Sequence, residues 1–252
     1  VMMSSPAPCS SRIARIDEVR GILILLVLFY HLIYDIGLFF PASLPRLWLL
    51  TDRFRLLRAV VPAFFILLCG VCTRLSRSNL RRGLCCAALA LVIRLISGWV
   101  SPACPIRFGI LHLLALCLLL WVPLHPLLGR LPPWVGILCG AVVFWLAFRL
   151  EQGTFAGIPL PAAWWDHPWL LWLGLPCRRV LSADYFPMLP WGGLFWAGCA
   201  LARYLFSSPC LDRLRQSRST GMARLGRHTL ALYLFHQPVW FAGLWLLRTL
   251  RG

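Results

Sequence analysis

His31 and Asp35 stand four residues apart inside the apolar run IDEVRGILILLVLFYHLIYDIGLFF, residues 16–40. On a helix that spacing puts both side chains on one face, about 6 Å apart along the axis, close enough for the carboxylate to orient or charge the imidazole. A carboxylate beside an imidazole in apolar surroundings sets a tautomer and holds a base ready for proton transfer. The plainer alternative is a histidine that only hydrogen-bonds a neighbouring helix. Ionisable groups at membrane depth cost several kcal/mol unless paired or hydrated, and this favours a working pair.

Few other polar side chains share that environment. Arg94, His112 and His236 lie inside further apolar runs, and Asp184 and Tyr185 sit at the mouth of another. If successive spans alternate in direction, His31 and His236 fall near mid-depth. Asp35, His112 and Asp184 then fall in the outer half or at its edge, so the set can converge on one cavity. For His112 and His236 the readings are contact with a substrate or cofactor, or structural hydrogen bonding. Arg94 at mid-span calls for a partner, an acidic side chain or helix-end carbonyls. Arg20, just after Asp17, and the group Arg74, Arg77, Arg81 and Arg82 carry guanidinium forks that suit phosphate. Beside span ends, lipid headgroups and topology explain such arginines equally well.

The elements that must position these groups follow from composition. The chain is 60% apolar and 13% charged, with a mean hydropathy of +0.77, so its surface faces lipid. An all-α, polytopic integral membrane helix bundle is predicted. Seven transmembrane helices are expected, near 16–40, 57–75, 84–100, 108–124, 133–149, 185–206 and 228–247, each close to the ~20 residues that cross a ~30 Å hydrocarbon core. Residues 157–176 are broken by four prolines and hold Trp164, Trp165, Asp166, His167, Trp169 and Trp172. They read as an interfacial or re-entrant segment, with an eighth span as the alternative. The whole of 1–252 is expected to form a single domain, and the first span is expected to stay in the membrane rather than be removed. Counting arginines, 14 fall on the cytoplasmic side and ten opposite when the N-terminus is inside, which favours that orientation. A bacterial inner (cytoplasmic) membrane is the expected location.

Several function classes drop out. The net charge of +17 comes from 25 basic residues, all arginine, clustered beside span ends, so nucleic acid is not an expected partner. Most of the eleven cysteines lie inside apolar runs, and Cys69-Gly-Val-Cys72 has no second CxxC or flanking histidine. No metal is implied. Cys104 and Cys177 would face the same side and are the one pairing considered. Gly136-Ile-Leu-Cys-Gly140 is a GxxxG element, which serves close helix packing. No phosphate-cradling loop, nucleophile elbow or repeat is present, so any chemistry belongs to the bundle.

Five stretches in order resemble the heparan-alpha-glucosaminide N-acetyltransferase catalytic-domain family, in particular its short bacterial members. They are Arg15-Ile-Asp17-Glu-Val-Arg20-Gly21 leading into Tyr30-His31-Leu-Ile-Tyr34-Asp35; Val61-Pro62-Ala-Phe64-Phe65 through Gly70; Phe108-Gly-Ile-Leu-His112; Asp184-Tyr185-Phe186-Pro187-Met-Leu-Pro190-Trp191; and Leu225-Gly226-Arg227-His228 through Tyr233, His236, Gln237 and Pro238. The resemblance implies an integral membrane acyltransferase that passes acetyl from acetyl-CoA to an amino sugar or surface glycan across the membrane. Animal members carry asparagine where this chain has His31, and a histidine in the following loop, whereas residues 41–57 here contain none.

Under that resemblance His31 is the expected general base, oriented by Asp35, or else a transient acetyl carrier. His112 and His236 are candidates for stabilising the thioester oxyanion or positioning the acceptor, with Asp184 and Tyr185 in the same substrate-binding set. Arg20 and Arg74 are candidates for holding the cofactor's phosphates. Trp164, Trp165, Trp169 and Trp191 are read as interface anchors or as platforms for sugar rings. A proton-coupled transporter or exporter using the same polar residues is the rival, though no repeat symmetry supports it. A membrane assembly partner with no turnover is a third reading. The acceptor and the oligomeric state, a homo-oligomer included, are open at this level.

Overall fold

The computed structural model describes residues 13–40, 44–161, 163–164, 167–175, 182, 184–206 and 210–250. Trp165, Asp166 and Cys177 lie outside the described residues. The chain divides into two compact units, Val1–Val61 with Ser207–Gly252, and Pro62–Phe206.

The first unit is built on α1 (Ala14–Phe39), with α2 (Leu44–Leu49), the first half of α3 (Asp52–Val71), α8 (Cys210–Arg215), α9 (Thr220–Arg227) and α10 (Thr229–Leu250). Its end at the start of α1 is tied by Glu18. One carboxylate oxygen of Glu18 accepts from the Ser217 hydroxyl at 2.7 Å and from the amides of Arg218 and Ser219 at 2.6 and 2.7 Å. These are the amides that lead into α9, whose own first turn is capped by the Ser219 hydroxyl accepting from the Met222 amide. Gly226 lets α9 lie directly on α1, because a Cβ there would collide with the Asp17 carbonyl. At the other end Phe39 meets Phe241 edge-on, with ring centroids 4.9 Å apart, and fastens α10 to α1.

The second unit continues through a short 3-10 turn at Cys72–Leu75 into α4 (Asn79–Val100), α5 (Ile110–Leu128), α6 (Pro133–Ala147) and α7 (Met188–Leu205). Ser78 caps α4 by accepting from the Arg81 amide at 3.2 Å. The two strands, β1 (Thr154–Phe155) and β2 (Ile158–Pro159), form a two-residue hairpin. Ala156 and Gly157 turn it at φ 51° and 81°, as a tight right-twisting hairpin requires. α4 packs on α5, and α6 on α7.

Among the described residues six helices are long and apolar enough to cross a membrane: Ala14–Phe39, Asp52–Leu75, Asn79–Val100, Ile110–Leu128, Pro133–Gln152 and Thr229–Leu250. The protein is therefore an all-α integral membrane helix bundle. The remaining expected run, 185–206, is also helical, as α7, yet does not share that apolar character. Trp191, Gly192, Gly193, Ala197 and Gly198 are buried along it, so its small residues meet protein where a lipid-facing helix would carry large apolar ones. On the other helices large side chains point outward: Trp99, Trp145 and Phe235 are all strongly exposed, as expected where the solvent is hydrocarbon. Residues 157–176 contain no long helix among the described residues, in keeping with their broken sequence. Trp164, Trp169 and Trp172 are exposed, as an anchoring or stacking role needs, whereas Trp191 is buried against Phe144 and Phe186 and serves packing.

The GxxxG element works as packing. A Cβ on Gly140 would collide with the Gly193 carbonyl and Ala197, and one on Gly136 with Ala200, so α6 and α7 touch backbone to backbone. Gly140→Val is expected to lower stability in detergent by about 1–3 kcal/mol, as overpacking does, read as a lower thermal midpoint. Gly98→Ala, where the added Cβ meets open space, should leave that midpoint in place.

Candidate functional site

In the first unit, α1 and α10 bring His31, Asp35, His236 and Gln237 into one cluster. The rings of His31 and His236 lie 4.7 Å apart at 56°. Tyr30 stands edge-on to His31 at 5.1 Å, and Tyr233 flanks His236 at 5.6 Å. Asp35 is fully buried. Its two carboxylate oxygens accept from the side-chain amide of Gln237 at 3.0 and 3.1 Å. The expected bond from Asp35 to His31 is therefore not formed. The aspartate is short, and Gln237 is long enough to bring two N–H groups across from α10. His31 is half-buried and turns to His236 instead.

Sequence reasoning placed His31 and His236 at one depth, and the structure puts them in contact. Gln237 was missed as the carboxylate's partner; its signals were its place beside His236 and in the stretch that carries the resemblance.

His112, Asp184 and Tyr185 meet in the second unit, around the start of α5. Asp184 Oδ2 accepts from the Ile110 amide at 3.0 Å, and the Gly109 amide donates to His112 Nδ1 at 3.2 Å. Two orphan donors of the helix terminus are satisfied in this way. A parallel bridge pairs Phe108 with Tyr185, and the Phe186 amide donates to the Phe108 carbonyl at 2.9 Å. Tyr185 donates its hydroxyl to the Leu171 carbonyl at 2.8 Å, and burial, with Glu151 nearby, pushes that phenol up so that it stays a donor. The structure thus gives Asp184 and Tyr185 structural work. Asp184→Ala is expected to cost about 1 kcal/mol through the lost helix cap, measurable as a drop in unfolding midpoint. Because His112 Nδ1 accepts, its Nε2 carries the hydrogen and is a donor. Arg94 is exposed on α4, its charge reaching His112.

Arg20 binds Asp17 through a 2.6 Å ion pair, so its guanidinium is engaged by its own helix. Arg74, in the other unit, lines a cavity of about 490 Å³ at the start of α4, with Ser78, Asn79, Trp121, His125 and Arg203. Arg203 donates to the Leu131 carbonyl. The lining joins two guanidinium groups, an imidazole and the first turn of a helix, a donor set suited to phosphate. His125 and Arg203 were missed from sequence because their runs gave no sign of sharing a cavity with Arg74.

Among the described residues Cys104 forms no disulfide.

No curated protein and no solved structure matches the chain. The family model described as heparan-alpha-glucosaminide N-acetyltransferase, catalytic, matches residues 12–238. That span holds both clusters and the cavity and covers most of a chain with six membrane-length helices among its described residues; the chain belongs to the heparan-alpha-glucosaminide N-acetyltransferase catalytic family, which points to membrane acetyl transfer.

Proposed function

We propose that the protein transfers acetyl from acetyl-CoA to an amino sugar or a glycan hydroxyl, and that the His31, Asp35, His236 and Gln237 cluster is where the acceptor loses its proton. The observation that carries this reading is the pair of imidazoles in ring contact beside a fully buried carboxylate, inside a membrane-embedded helix pair. Proton removal by a positioned side chain typically contributes 10²–10⁴-fold to such a transfer.

Family membership supports an acetyltransferase, and the cavity around Arg74 supports acetyl-CoA as donor. Its Arg74, His125 and Arg203 offer donors to a polyanion without an acidic side chain among the lining residues. Acetyl-CoA supplies the activated acetyl group. This chain's residues hold the phosphates and manage the acceptor's proton. The arginine bias supports a cytoplasmic N-terminus in a bacterial inner membrane, with the acceptor on the far side.

The test is transfer in proteoliposomes, with acetyl-labelled acetyl-CoA supplied on one side and glucosamine trapped on the other. Labelled N-acetylglucosamine on the trapped side is the expected product. Proton-coupled movement of glucosamine out of the vesicles without acetylation would replace this reading by the transporter.

A further inference from the structure

We infer that His236, through Nε2, is the atom that takes the acceptor's proton, with the Gln237 Oε1 beside it as a second acceptor that selects an amine or hydroxyl; the inference rests on the reading above. Nδ1 of His236 lies 2.6 Å from the Tyr233 carbonyl oxygen. A carbonyl has no hydrogen to give, so Nδ1 carries the proton and donates it. In the neutral ring Nε2 is then bare and presents a lone pair. That nitrogen is buried, the residue as a whole is 8% exposed, and no partner among the described residues reaches Nε2.

A purely structural histidine this deep uses both nitrogens, because an unmet polar atom costs about 1–3 kcal/mol. His236 uses one, on its own helix backbone. Gln237 repeats the pattern. Its amide nitrogen is held by Asp35, while its Oε1 is buried without a partner among the described residues. Both residues face α1, since one touches His31 and the other Asp35. Two bare acceptors on that face call for a ligand that brings N–H or O–H donors. An amino sugar or a sugar hydroxyl fits, and a ligand that only accepts does not. The titratable groups that meet the His236 ring are His31 of α1 and Tyr233 of its own helix, with Tyr30 against His31 and Asp35 bound to the neighbouring Gln237.

This arrangement also changes the role expected of His236. A bare Nε2 cannot donate to a thioester oxyanion, but it can take a proton. As the acceptor's nitrogen or oxygen forms its bond to the thioester carbonyl carbon, its hydrogen passes to Nε2. The carbon–sulfur bond then breaks, and the departing thiolate takes that hydrogen from the imidazolium. Amide or ester and free thiol are the products, and His236 returns to its neutral tautomer.

The experiment measures release of CoA by purified wild type, His236→Asn and His236→Ala, with glucosamine as acceptor and with acetyl-CoA binding measured separately. Asparagine keeps a donor for the Tyr233 carbonyl and removes the base. His236→Asn is expected to bind acetyl-CoA like wild type and to turn over about 10²–10⁴-fold more slowly, with added imidazole partly restoring His236→Ala. Turnover of His236→Asn within about threefold of wild type overturns the assignment. An inert wild type overturns the acetyltransferase reading itself, a different result. Should neither variant fold, ¹⁵N-histidine spectra of wild type at neutral pH decide: a bare Nε2 at His236 supports the inference, and a protonated one overturns it.

Discussion

Gln237→Leu is expected to destabilise the first unit by about 3 kcal/mol or more, the cost of leaving a buried carboxyl group without its hydrogen-bond donor. Asp35 is fully buried and its carboxylate is met by the Gln237 amide alone among the described residues. Asp35→Asn leaves two amides that can still pair and should cost less. The double variant Asp35→Leu with Gln237→Leu removes both polar groups together and should recover most of the stability lost in Gln237→Leu, because an apolar pair leaves nothing unsatisfied. Recovery would not extend to turnover, since the charge beside the two imidazoles and the second acceptor are both gone. Thermal midpoints in detergent for the single and double variants give the coupling directly. If Gln237→Leu proves as stable as wild type, the Asp35–Gln237 bond does not hold the cluster together.

Arg74→Gln is expected to raise the KM for acetyl-CoA by about 10- to 100-fold with kcat little changed, the loss of a charge-assisted contact worth roughly 1.5–3 kcal/mol. The guanidinium lines the cavity beside Ser78 and Asn79 at the start of α4, and a group that only holds the phosphates binds ground state and transition state alike, which keeps kcat out of the effect. Acetyl-CoA saturation curves for the variant and wild type measure it. An unchanged KM would move the phosphates away from this cavity. Arg20 makes a useful contrast: bound to Asp17 at 2.6 Å, it has an ionic partner already, and its replacement acts first on the N-terminal end of α1.

Much of the fold was legible because lipid is the solvent. A helix that crosses hydrocarbon must be apolar over a fixed length, so α1, α4, α5, α6 and α10 begin and end within a few residues of their apolar runs. The GxxxG element was legible for a similar reason, since glycines four apart in a membrane helix have little use except close approach. Helices α8 and α9 were not, because they are short and α9 carries several polar residues; what forms α9 is the Glu18 carboxylate gathering the Ser217–Ser219 segment some 200 positions away.

Within the site, depth was readable and partners were not. The meeting of His31 with His236 follows from each lying near the middle of a span. The choice of Gln237 over His31 as the partner of Asp35 depends on which side chain reaches across from another helix, and sequence spacing within α1 says nothing of that. The same holds for Asp184, whose carboxylate caps a helix that begins 74 residues earlier. The tautomer of His236 depends on the carbonyls of its own helix, that of Tyr233 at 2.6 Å from Nδ1 among them, and only the folded helix aims them at the ring.

Release of free CoA from acetyl-CoA by the purified, detergent-solubilised protein, wild type beside His31→Ala, with and without glucosamine, tests the central claim most directly. The wild type should release CoA in step with acceptor. His31→Ala, which leaves a void against the His236 ring, should lose about 10²-fold or more of that rate, as misplacement of a catalytic group does. Equal rates in the two proteins, or no acceptor-dependent release by wild type, would contradict the assignment of acetyl transfer to this histidine cluster.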